Sequence, residues 1–174
     1  MELTEQQIKD NWDKFVWELG RKGSSSMLKL IKHLEEQHFD RMPASSSGKY
    51  HGGYPGGLVV HCLTMLKLHR QLKTTKLGSG YGDIELCILL HDVGKLKGYK
   101  KHCENSIEIV SQFIMLGFDQ ENAIRYHMGM YGAKKRSADD IADYSLTEGY
   151  TALEHKFTKY LYLLDDLSSN YFEE

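Results

Sequence analysis

The stretch Ile84-Glu85-Leu86-Cys87-Ile88-Leu89-Leu90-His91-Asp92-Val93-Gly94-Lys95 decides how the chain is read. Ile84, Cys87, Ile88 and His91 recur at helical spacing, so His91 shares the phase of the apolar positions and Asp92 follows at once. The pattern predicts a buried helix over 83–93 that carries two polar groups at its C-terminal end, the end that favours cations. A buried imidazole and a buried carboxylate both require partners. The rest of the chain is therefore searched for what supplies them.

Outward from this helix the periodicity stays helical. Ile8, Trp12, Phe15, Val16 and Leu19 follow a Thr4 cap and end at Gly20 and Gly23. Met27, Leu30, Ile31 and Leu34 follow Ser24-Ser25-Ser26 and run to about Phe39. Residues 43–57 are turn-rich and break all periodicity. Further helices are predicted over 57–72, 104–116 and 119–128. Residues 129–149 are polar and irregular with a short helix over 139–144, and a closing helix spans 150–169. No series of alternating Val/Ile/Thr-rich runs occurs, so the fold class is all-α.

The 174 residues suffice for one domain, and 41% hydrophobic with 26% charged residues excludes collagenous, mucin-like and disordered classes. A formal charge of -2 excludes the global basic field that drives duplex nucleic-acid binding. Cys62, Cys87 and Cys103 are an odd set without a CxxC pair, which fits a reducing compartment, and each reads as a small buried hydrophobe. The amino terminus lacks a signal-peptide pattern and no apolar run approaches the about 18 residues of a membrane span, so the cytoplasm is the expected location.

Motifs for other chemistries fail. Gly48-Lys49 has Pro43 where the first Walker glycine belongs and Tyr50 where Ser or Thr should stand. Gly78-Ser79-Gly80-Tyr81-Gly82 lacks the dinucleotide spacing and follows a helix. Neither GxSxG nor HExxH is present.

Partners for His91 and Asp92 come from other helices. His61 shares a face with Leu58, Met65 and Leu68; His127 closes a helix with Ala123 and Ile124 on its inner side; Asp165 lies on the face of Phe157, Leu161 and Leu164. Imidazoles and carboxylates converging from separate helices satisfy one another around a divalent cation. Each taken singly also reads as a hydrogen-bonded core residue; the set of five favours a metal. His33, His38 and His69 sit beside charged neighbours on outer faces, and His155 is spaced with Tyr162 and Asp166, so these four read as scaffold. His51 and Tyr54, in the glycine-rich loop before His61, are candidate substrate contacts. Lys134, Lys135 and Arg136 form a short basic group that reads either as solvated surface or as an attractor of polyanions.

His61, then His91-Asp92 within Leu89-Leu90-His91-Asp92-Val93-Gly94-Lys95, then Asp165 resemble the H...HD...D signature of the HD superfamily of metal-dependent phosphohydrolases. The approach from His51 through Gly56-Gly57-Leu58 to His61 resembles the HHxxxGGLxxH lead-in of one branch, which includes exoribonuclease-associated HD domains, with Gly52 shifting the local pattern. The resemblance covers roughly residues 50–170. It implies a helical HD-domain bundle; the chain is read as a single such domain over 1–174, with residues 1–45, which carry no part of the resemblance, as a helical extension packed on it. It also implies that His61, His91, Asp92 and Asp165 hold one metal, that Asp92 bridges to a second, and that His102 and His127 complete a six-ligand set. Many binuclear members carry paired histidines where this chain has His127-Met128.

The function so implied is hydrolysis of a nucleotide or related phosphate ester by metal-activated water, with one or two ions among Mn, Mg, Fe, Co, Ni or Zn. Asp92 and Lys95 would be catalytic, Lys95 placing an ammonium on the developing phosphoryl charge and contacting substrate with His51 and Tyr54. The expected partner is a small phosphate compound, with neither membrane nor duplex nucleic acid; a homo-oligomer is compatible with the sequence. Two other functions stay open at this stage: an HD-type di-iron oxygenase and a silent metal-binding module.

Overall fold

Thr4 starts the first helix as its sequence predicts. Its hydroxyl accepts from the Gln7 amide at 3.2 Å while the Gln7 side chain accepts from the Thr4 amide at 2.8 Å, a reciprocal cap that fixes α1 over Glu5–Gly20. Ser24 caps α2 (Ser25–Glu36) through the Met27 amide at 3.1 Å. The computed structural model describes residues 2–21, 23–48, 51–75, 78, 81, 84–128 and 156–172. After α2 come α3 (Gly57–Leu72), α4 (Ile84–Leu90), α5 (His102–Val110), α6 (Phe118–Tyr126) and α7 (Lys156–Leu167), and no strand occurs among the described residues. The fold is all-α. The basic group 134–136, the short helix over 139–144, His155 and the first residues of the closing helix lie outside the described residues.

Several boundaries differ from the periodicity. The second helix ends at Glu36, where His38 takes a left-handed conformation and leads into a 3₁₀ turn, Phe39–Arg41. That turn drives Phe39 into the core against Phe15 and Trp12, with ring centroids 5.4 and 6.4 Å away. The fifth helix starts two residues early, behind a left-handed Lys101, and stops at Val110, whose carbonyl accepts from both Phe113 and Ile114. The last helix passes into a π-turn, Ser168–Phe172.

α3 is the central helix, with Leu58, His61, Cys62, Met65 and Leu68 all buried. Phe15 and Leu19 of α1, Leu30 and Leu34 of α2, and Ile88 and Leu90 of α4 belong to the same apolar core as Leu58 and Met65, as do Ile124 of α6 and Leu161 and Leu164 of α7. One ion-pair cluster joins three of these helices. The Arg70 guanidinium donates to both Glu18 oxygens at 2.6 Å and to Glu85 at 3.1 Å, and holds the Glu18 carboxyl below the usual carboxylate range.

His69 is a correction. It is fully buried, not on an outer face, because it follows Met65 by four residues on the inner face of α3, and its Nδ1 lies 3.1 Å from the Tyr160 hydroxyl. The adjacent Arg70 is what made the position look external.

Candidate metal centre

α4 ends at Leu90, so His91 and Asp92 form a turn and not the last helical residues. The His91 amide still donates to Cys87 O at 2.8 Å, but Asp92 has φ -109 and ψ 6, and a 3₁₀ segment, Val93–Lys97, follows. Gly94 fixes this geometry. Its amide donates to Ser106 Oγ at 2.7 Å, and that hydroxyl donates to His91 O at 2.6 Å, which clasps the turn to α5. A Cβ at Gly94 would stand 2.0 Å from His102 O and 2.4 Å from Ser106 N. Only glycine lets the first turn of α5 come this close, and that approach carries His102 to Asp92.

The imidazoles are aimed by their own backbone. Nδ1 of His91, His102 and His127 donates to the carbonyl three residues earlier, Ile88, Tyr99 and Ile124, at 2.9, 2.8 and 2.7 Å. In His61 the Nδ1 lies 3.3 Å from Ser168 Oγ, and that hydroxyl donates to Asp165 O at 3.0 Å. With Nδ1 so engaged, all four rings present Nε2 to one centre. His61 Nε2 stands 3.1 Å from Asp165 Oδ1, and His91 Nε2 stands 3.4 Å from Asp92 Oδ2. His102 and His127 place Nε2 at 3.2 and 3.5 Å from Asp92 Oδ1 and 3.3 Å from each other. Ser168→Ala is expected to weaken metal binding by about 10- to 100-fold, the usual cost of losing an outer partner of a ligand. Calorimetric titration checks it, with unchanged circular dichroism.

This arrangement sets acceptors against acceptors in a buried space. Four Nε2 lone pairs and two carboxylates repel one another unless positive charge lies between them. His91 Nε2 and Asp92 Oδ1 make no hydrogen bond among the described residues. Burial opposes ionisation of Asp92, yet Lys95 and His91 hold its carboxyl well below the usual carboxylate range. Asp165 is likewise held low against burial, by His61 foremost. Burial foremost, with the neighbouring His127, lowers His91, while His102 and His127 are raised against burial, by Cys103 first and then by Asp92. Ligand atoms of His61, His91 and Asp92, of His91, His127 and Asp165, and of His102, Cys103 and His127 fall into three compact groups that can hold metal. The donor set fits a divalent cation.

The remaining predicted residues separate. Lys95 pairs with Asp92 Oδ2 and donates to Ala44 O at 2.7 Å, so it sits partly buried at the edge of the centre and tied to the glycine-rich loop, which Tyr99 also meets through Pro43 O at 2.9 Å. His51 stands beside His61 with ring centroids 5.7 Å apart, and its Nε2 lies 3.0 Å from Ser169 Oγ. Tyr54 is turned away, lining a groove between α1 and α3 with Leu3, Gln7 and Leu63.

Three residues went unread in the sequence. Ser106 and Ser168 left no mark beyond small polar residues on buried faces. Cys103 is buried as expected, but it is more than a small hydrophobe: its Sγ lies 3.7 Å from His102 Nε2. Burial opposes ionisation of the thiol, and His127 with His102 brings it down to about 6. Its position next to His102 was the available signal.

A helical core that closes on a His-Asp turn and gathers further His and Asp from flanking helices has the donor set of a buried cation site. The chain belongs to the HD domain family, whose model matches residues 58–170 and so spans every predicted metal-ligating position. Members of this family are generally metal-dependent hydrolases that bind divalent cations. Comparison with curated proteins and with solved structures finds no match. No helix among the described residues is long and apolar enough to cross a membrane.

Proposed function

We propose that the chain hydrolyses a nucleotide or related small phosphate ester, with His61, His91, Asp92, His102, His127 and Asp165 holding one or two divalent ions. The observation that carries this reading is the gathering of four Nε2 atoms and two carboxylates into adjoining buried groups with a lysine ammonium at their edge. A bound divalent ion lowers the pKa of its water from 15.7 toward about 7 and polarises a phosphoryl oxygen.

The chain's own residues do the rest. Asp92 presents Oδ1 to His102 and His127 and Oδ2 to His91, which suits a carboxylate shared between two ions. Lys95, whose ammonium pairs with Asp92 at the edge of these groups, is placed to stabilise charge developing on the phosphoryl oxygens. His51, beside His61, supplies a donor for a phosphate oxygen or leaving group arriving over the glycine-rich loop.

Purified protein incubated with nucleoside mono-, di- and triphosphates, cyclic nucleotides and short oligonucleotides tests this, with and without manganese. Metal-dependent release of one product class is the expected result, abolished by a chelator. Absence of turnover across the panel, with iron-dependent oxygen uptake instead, would overturn it.

A further inference from the structure

We propose that Cys103 is a ligand in this centre, its thiolate completing with His102, His127 and Asp92 a sulfur-containing half-site for a second divalent ion. The inference rests on the cation reading above and adds to it the identity of a fourth donor.

The argument is one of spacing. Metal–nitrogen and metal–oxygen bonds of about 2.0 Å and a metal–sulfur bond of about 2.3 Å, set tetrahedrally, require edges of about 3.3 Å between N or O donors and about 3.5 Å between S and N. The observed separations are 3.3 Å for His102 Nε2 to His127 Nε2, 3.2 and 3.5 Å from these atoms to Asp92 Oδ1, and 3.7 Å for Cys103 Sγ to His102 Nε2. Cys103 Sγ also falls within 4.8 Å of the His127 ligand atom. Asp92 Oδ1 gives an independent indication: its side chain is 3% exposed, and this oxygen has no hydrogen bond among the described residues although it faces both imidazoles. On binding, the thiol proton leaves to solvent and sulfur donates its lone pair to the ion, with no change of oxidation state. Sulfur makes this half-site softer than the His61, His91, Asp92 and Asp165 side, so it selects zinc, cobalt or ferrous iron over magnesium.

Cobalt titration followed by absorption tests the proposal without relying on activity. The full chain is expected to show sulfur-to-cobalt charge transfer in the near ultraviolet, lost in Cys103→Ser and Cys103→Ala and retained in Cys62→Ser and Cys87→Ser. Zinc affinity of that half-site should fall at least about 10-fold in both Cys103 variants. Cobalt bound without a sulfur band, or a band that survives in both Cys103 variants, would overturn the thiolate ligand and leave the cation centre standing. Failure to bind cobalt at all would overturn the cation reading itself. Absence of the band from the native spectrum overturns the thiolate ligand even where a variant does not fold, and its persistence in Cys62→Ser and Cys87→Ser assigns it to Cys103.

Discussion

Asp92→Asn is expected to lower metal affinity by more than about 100-fold and to remove hydrolysis with it. Loss of an outer partner of a ligand already costs roughly 10- to 100-fold, and Asp92 faces both halves of the centre. The amide keeps the shape of the carboxylate, so helical content should persist. Its metal-free form should nonetheless be less stable by about 3 kcal/mol, because the buried His127 and the partly buried Lys95 lose their counter-charge. The sign with pH follows from the direction of the shift. Asp92 stays ionised in the folded chain well below the value near 4 at which a free carboxylate titrates. The stability gap between native and variant is therefore full at neutral pH and closes as pH falls through the folded value. Urea unfolding of metal-free protein at several pH values measures it; a gap independent of pH would contradict the assignment.

Gly94→Ala should have the second large effect, and by a different route. The new Cβ meets backbone on two sides, His102 O and Ser106 N, and backbone cannot swing aside as a side chain does. The first turn of α5 must move, at a cost of roughly 3 kcal/mol or more. That displacement takes His102 away from Asp92 and opens the clasp made by Ser106. The variant should melt lower, and whatever remains folded should bind one fewer metal ion per chain. Thermal unfolding with metal analysis reads both; native metal content in a folded variant would show that α5 does not need this approach.

Much of the centre was legible because helical phase exposes buried polarity. His61, His91 and Asp165 each share a face with apolar residues, and that face is buried in the structure. The resemblance brought in His102, and the structure sets its Nε2 beside Asp92 although Lys101 gives no cap signal for the helix that carries it. What the sequence withheld depends on contacts between distant segments. The Gly94 to Ser106 clasp, the Ser168 to His61 bond and the reach of Lys95 to Ala44 join residues far apart in the chain, and no local pattern encodes them. Helix ends were least legible. The 83–93 helix was drawn three residues too long because Val93 continues the apolar run, while the chain leaves the helix to free the His91 and Asp92 side chains. His69 was misplaced by its charged neighbour, and Tyr54, chosen for its loop, faces α1 and not the centre.

The meeting of acceptors with acceptors has a thermodynamic consequence. The centre is locally frustrated: the chain would fold more firmly if these six positions were apolar, and the surrounding helices hold them together against that preference. Protons relieve the conflict in part, chiefly at His127, so metal uptake must expel them, and affinity should rise with pH over the range where that imidazole loses its charge. The repulsion that the fold holds among these groups is thus returned as binding free energy when an ion binds.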